Sequence, residues 1–271
     1  MNNKLMNQNQ PLNFQHSDDQ SLNPYAGPRW LVEERDACGV GFIANRENQA
    51  SHELVLTALS ALTCLEHRGG CSADYDSGDG AGLLTAIPWE LLQQSLTQQG
   101  REIPPQENCA VAMVFLPQEP EVAQSGRELI EQVVAQAGLS VIGWRVVPVQ
   151  PQLLGIQARE NQPQIEQVIV SSQDTTGDDL ERQLYVVRRS IHRAAGKQSD
   201  RFKIENFYIC SFSSRTIVYK GMVRSAVLGE FYTDLKNPAY KSAFAVYHRR
   251  FSTNTMPKWP LAQPIDRKSV V

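Results

Sequence analysis

The sequence predicts a mixed α+β fold of layered sheets with helices outside them. Two observations carry this. Hydrophobic residues make up 41% and charged residues 20% of 271 residues, an ordinary globular composition long enough for one large core or two small ones. Apolar stretches of period two and of period 3.6 alternate along the chain in paired blocks, not as a strict strand–helix alternation. The balance also excludes some functions. The net charge of −3 gives no electrostatic footprint for nucleic acid. No apolar run reaches the roughly 20 residues of a membrane helix, and MNNKLMNQNQ has no apolar core of a secretory signal. Five irregularly spaced cysteines argue for a reducing compartment, hence the cytoplasm, over a disulfide framework.

The first 29 or so residues are expected to be disordered, because ten of the first 23 are Asn or Gln. Order is expected to begin at the strand 38–44, Cys38-Gly39-Val40-Gly41-Phe42-Ile43-Ala44. In the helix that follows, Leu54, Val55, Ala58, Leu59, Ala61, Leu62 and Leu65 recur at helical spacing; Ser51 can cap it and Gly69-Gly70 can stop it. Strand 80–87, helix 89–96, strand 110–116, helix 121–137 and strands 141–149 and 164–171 come next. Asp178-Asp179 open a helix in which Leu180, Leu184, Val187, Ile191 and Ala194 share a face, with early acids and late arginines suiting the helix dipole. Residues 207–212 and 216–219 read as a hairpin around Ser213-Ser214-Arg215, and 243–248 as a last strand.

Several motifs are weak. Asp74, Asp76 and Asp79 in DYDSGDGAG suggest a calcium loop, but Gly78 stands at the fifth position, which needs an oxygen ligand, and Thr85 at the twelfth, which needs Glu, so a tight turn into a strand is the better reading. Cys64, His67 and Cys71 are one ligand short of a structural zinc site; Cys64 reads as a small core residue and no metal is expected. Cys38 reads differently. It stands between a polar leader and the first ordered strand. Were the Ala37–Cys38 bond cut, the residue would carry a thiol and an α-amine of pKa about 7.7–8, a nucleophile and its base in one place. Arg68, Arg249 and Arg250 are candidates to clamp a carboxylate, with Ser252, Thr253, Asn254 and Thr255 a dense polar run beside them; a strand end entering a polar turn would look the same.

The segments DACGVGFIAN, LTALSALTCLEHRGG, DYDSGDGAGLLTAIP and HRRFSTNTMPKWPLAQP together resemble, in order and approximate spacing, the N-terminal glutaminase region of glutamate synthases, and RWLVEERDACGVGF most resembles the ferredoxin-dependent type. The resemblance implies a class II glutamine amidotransferase: a four-layer αββα sandwich of the N-terminal nucleophile hydrolase type, incomplete at its C-terminus. It implies a propeptide 1–37, a partial catalytic domain 38–264, and Cys38 as the nucleophile that forms a γ-glutamyl thioester with L-glutamine and releases ammonia. Arg250 would hold the substrate α-carboxylate, Phe251, Ser252, Thr253 and Asn254 would line its site, and Arg68 would stand near the nucleophile. FMN, an iron–sulfur cluster and either ferredoxin or a NAD(P)H-linked small subunit belong, by the same resemblance, to the complete enzyme, which uses the ammonia with 2-oxoglutarate to make glutamate in the cytoplasm or a plastid stroma.

After Pro264 the pattern departs. The HNGEINT-like segment, whose Asn-Gly supplies the family's oxyanion hole, does not follow, nor does the Asp that grips the glutamine α-amine. Residues 265–271 are expected to be non-native, because DRKSVV resembles one reading frame of a widely used DNA-sequencing adapter. The 271-residue chain is therefore expected to be inactive or nearly so, since one lost oxyanion donor costs about 10²–10³ in rate, and poorly soluble through its open sheet edges. A catalytically dead fragment that at most binds glutamine or a partner is the alternative. A cysteine hydrolase pairing Cys38 with His67 or His248 is a third reading.

Overall fold

A computed structural model describes residues 39–66, 77–198, 200, 202, 206–249 and 257–264. The expected leader 1–37 and tail 265–271 lie outside them. Eight strands form two antiparallel four-stranded sheets. The first holds β1 (Gly39–Ala44), β2 (Ala81–Ala86), β7 (Thr216–Gly221) and β8 (Phe244–Arg249) in the order β1-β8-β2-β7. The second holds β3 (Cys109–Leu116), β4 (Leu139–Val146), β5 (Gln164–Ser172) and β6 (Tyr208–Ser213) in the order β4-β5-β3-β6.

Strand periodicity explains how they pack. On β3 every residue is buried, but alternate side chains serve different cores. Val111, Met113 and Phe115 meet Leu83, Ile217 and Tyr219 of the other sheet. Ala110, Ala112, Val114 and Leu116 turn toward the helices α3 (Pro120–Gln136) and α5 (Gly177–Gly196), joining Ile130, Val134, Leu184 and Ile191. Helix α1 (His52–Cys64) packs on β1 and β8 through Leu54, Val55, Ala58 and Leu62. Ser51 caps it by accepting the Leu54 N–H at 3.2 Å, as expected. Helix α2 (Trp89–Gln98) and the short α4 (Ile156–Glu160) and α6 (Leu228–Phe231) complete the set.

A buried polar network crosses between the sheets. Arg145 on β4 donates two parallel hydrogen bonds to Asp234, 2.7 and 2.6 Å long, and Tyr219 on β7 donates a third at 2.8 Å. Gln167 on β5 bonds both Arg145 and Tyr219. Burial opposes the charge on Arg145, but the bonds and charge of Asp234 outweigh it and raise its pKa. Burial, then Asp234, pushes Tyr219 well above the usual phenol range. With its members satisfied, such a network fixes the relative register of the two sheets.

Two sequence expectations are corrected. Strands β6 and β7 do meet at Ser213-Ser214-Arg215, but they are not a hairpin: β6 pairs with β3 and β7 with β2, so the turn crosses from one sheet to the other. Ser213 Oγ accepts the Arg215 and Thr216 N–H groups, and Glu181 of α5 accepts from Ser213 and Ser214, which holds the corner from the side. Cys64 is exposed and not a core residue, because it lies off the Leu54–Ala58–Leu62 stripe. On α5, Ala194 packs against the same cluster as Leu180, Leu184, Val187 and Ile191, as expected, with Ala195 buried beside it.

Candidate active site

The predicted nucleophile Cys38 and the predicted binding residues Arg68, Arg250, Phe251, Ser252, Thr253 and Asn254 lie outside the described residues, as do His67, Cys71, Asp74 and Asp76. Described residues near them in the chain, Gly39, Glu66, Ala81 and Arg249 among them, converge. Gly39, the residue after Cys38, begins β1 and stands opposite Arg249, the residue before Arg250. Arg249 is also opposite Ala81, the first residue of β2. One strand end, central to the sheet, thus touches the chain that leads to the candidate nucleophile and the chain that leads out of the DYDSGDGAG motif.

The end of α1 reaches the same place. Glu66, two residues before Arg68, has its Oε1 3.6 Å from Arg249 Nη2, and Arg249 is fully buried. The other oxygen, Oε2, accepts the Ser225 hydroxyl and, at 3.3 Å, the Ala226 N–H. The segment 257–264, which follows the polar run, returns across the sheet. Lys220 of β7 donates to the Pro260 carbonyl at 2.7 Å, and Trp259 donates to the Ala158 carbonyl at 3.0 Å.

Two glycines on the site sheet are required by close approach. A Cβ on Gly41 would stand 2.5 Å from the Tyr247 ring, so that ring lies flat against β1. A Cβ on Gly82 would collide with the Gln263 carbonyl, so the returning segment crosses β2 at backbone contact. His248 stands opposite Val40 and Gly82. Among the described residues no group of three or more His, Cys, Asp or Glu side chains is placed to hold a metal ion. Of the described cysteines, Cys109 and Cys210 are buried, and burial pushes the Cys109 thiol up to about 11.

Sequence reasoning named Arg249 but missed Glu66 and Ser225. The charge beside Arg68 was visible in LEHRGG; its partners, 159 and more residues away, were not.

What these observations define is an α+β domain in which the flanks of four separate motifs meet at the end of one antiparallel sheet. Comparison with known proteins gives that domain its family. The sequence profile described as "Glutamine amidotransferases class-II" matches residues 38–268, and the chain belongs to that family. It is similar to ferredoxin-dependent glutamate synthase 2 of Synechocystis sp., 58% identical over 90% of this chain and 15% of the relative. It is also similar to the ferredoxin-dependent glutamate synthases of Pyropia yezoensis, 54% identical over 87% of this chain and 15% of the relative, and of Oryza sativa, 49% identical over 87% and 14%. The chain thus spans about 15% of the length of these relatives.

Proposed function

We propose that the chain is the glutaminase region of a ferredoxin-dependent glutamate synthase, with Cys38 as its nucleophile. The observation that carries this is the start of the family match at residue 38, one residue before the strand β1 begins. On this reading residues 1–37 are a propeptide and 38–264 are catalytic. The full fold is the four-layer αββα sandwich of N-terminal nucleophile hydrolases, and residues 265–271 are not native.

The Cys38 thiol loses its proton to the freed α-amine and its sulfur attacks the side-chain amide carbon of glutamine. The tetrahedral intermediate expels ammonia, which takes that proton with it. Water then opens the γ-glutamyl thioester, giving glutamate and restoring the thiol. Arg250 holds the α-carboxylate through paired hydrogen bonds, Phe251, Ser252, Thr253 and Asn254 line the site, and Arg68 stands close to the nucleophile. FMN, an iron–sulfur cluster and the ferredoxin contact belong to the parts of such an enzyme that this chain does not span. The place of action is the cytoplasm or a plastid.

Mass spectrometry of the purified chain tests maturation, the expected N-terminal residue being Cys38. Ammonia release from glutamine tests the chemistry. In the chain joined to the rest of the Synechocystis relative, Cys38→Ala should lower it by at least ~10³-fold. Equal release by the variant would overturn the assignment.

A further inference from the structure

The pair formed by Glu66 and Arg249 has no part in the chemistry just described, yet it lies between the segments that carry it. Arg249 is 0% exposed, stands opposite Gly39 and Ala81, and meets Glu66 at 3.6 Å. Glu66 is held in turn by the Ser225 hydroxyl and the Ala226 N–H. A guanidinium withdrawn from water is offset by a carboxylate beside it, and that carboxylate is in turn tied to a third segment of chain. Arg68 follows Glu66 by two residues and Arg250 follows Arg249 by one, so fixing the pair fixes the roots of both.

We infer that Glu66 and Arg249 are positioning residues for glutamine: their contact, braced by Ser225, sets the spacing between the segment bearing Arg68 and the segment bearing Arg250. This rests on the glutaminase reading above. Neither side chain is assigned a contact with substrate. The expected effect of loosening them is a misplaced substrate clamp, and a displacement near 1 Å costs up to ~10²-fold in rate.

The test joins the chain to the rest of the Synechocystis relative and compares two alkylating reagents at Cys38. A diazoketone analogue of glutamine must be held by the substrate clamp before it reacts; iodoacetamide need only reach the thiol. Glu66→Gln keeps the length of the side chain but takes the carboxylate away from the buried Arg249 guanidinium, so the urea midpoint is measured beside the rates. The variant should slow the analogue about tenfold, leave iodoacetamide within about twofold, and lower kcat/KM for glutamine about tenfold, mostly through KM. Ser225→Ala should act in the same direction by about threefold, and Glu66→Asp should recover part of the loss. Unchanged rates with the analogue, or both reagents slowed alike, overturn the inference. A parent protein that reacts with neither reagent at Cys38 overturns the glutaminase reading and this inference with it.

Discussion

The two sheets have the same number of strands and opposite characters. The sheet β4-β5-β3-β6 is built around β3, a strand buried at all of its residues and covered by α3 and α5 on its outer face. The sheet β1-β8-β2-β7 is open along β1, where Val40 is 62% and Phe42 76% exposed. It holds two fully buried cations, Lys220 and Arg249, while the other sheet buries Arg145 and Glu166. The difference separates two tasks. One sheet supplies burial and fixes geometry. The other brings chain ends together and tolerates close glycine contacts and an apolar edge to do so.

The same side chain tests this contrast in both sheets. Phe115 on β3 is 0% exposed and packs edge-on against Trp259, with Tyr208 also in reach. Phe115→Ala should cost ~3–5 kcal/mol of unfolding free energy, read as a lowered urea midpoint at unchanged slope. A cost below ~1 kcal/mol would mean that the sheets are not held together at that contact.

A smaller loss is expected on acidification, again on the covered side of the scaffold sheet. His192 of α5 has its Nε2 buried without a hydrogen-bond partner and lines a cavity of about 140 Å³ with Ala195, Phe202, Phe207 and Tyr208. Burial, aided by Arg188 and Arg189, pushes its pKa down to about 4. The unfolded imidazole takes up a proton near pH 6.5, which the folded one refuses until about pH 4. Between those values the unfolded state binds more protons, so stability present above pH 6.5 is lost as pH falls and the loss is complete below about pH 4. His192→Phe should remove up to ~3 kcal/mol of that pH dependence, measured as the difference between parent and variant in urea titrations across the window. Identical pH slopes would show that the imidazole is solvated in the folded state.

The smallest effect is expected at Phe42. With its ring already in water, Phe42→Ala should change stability by no more than ~0.5 kcal/mol while reducing self-association in light scattering. A loss comparable to that at Phe115 would show that the open edge of β1 is covered in solution.

Most elements were legible because they are local. The stripe Leu54, Val55, Ala58, Leu62 with Ser51 ahead of it predicts α1, and the alternation on β2 and β8 predicts strands within a residue or two of those observed. The illegible parts are pairings. Ser213-Ser214-Arg215 has the chemistry of a tight turn whichever strands it joins, so nothing local says that β6 and β7 enter different sheets. The strand 141–149 was placed late at both ends, the observed β4 being Leu139–Val146. At the site, the family resemblance supplied Cys38, Arg68 and Arg250, but Glu66, Arg249 and Ser225 meet only through the long-range pairing of β8.

That pairing has a consequence for synthesis. Strand β8 lies between β1 and β2, yet its residues are made roughly 200 positions after β1. At a translation rate of about 5–20 residues per second, β1 waits some ~10–40 s before the strand that flanks it leaves the ribosome. The other sheet gains its last strand, β6, only late in that interval, and until β8 follows, β1 and β2 have no strand to join them. The residue proposed as nucleophile is therefore made long before the strand that pairs with the chain beside it.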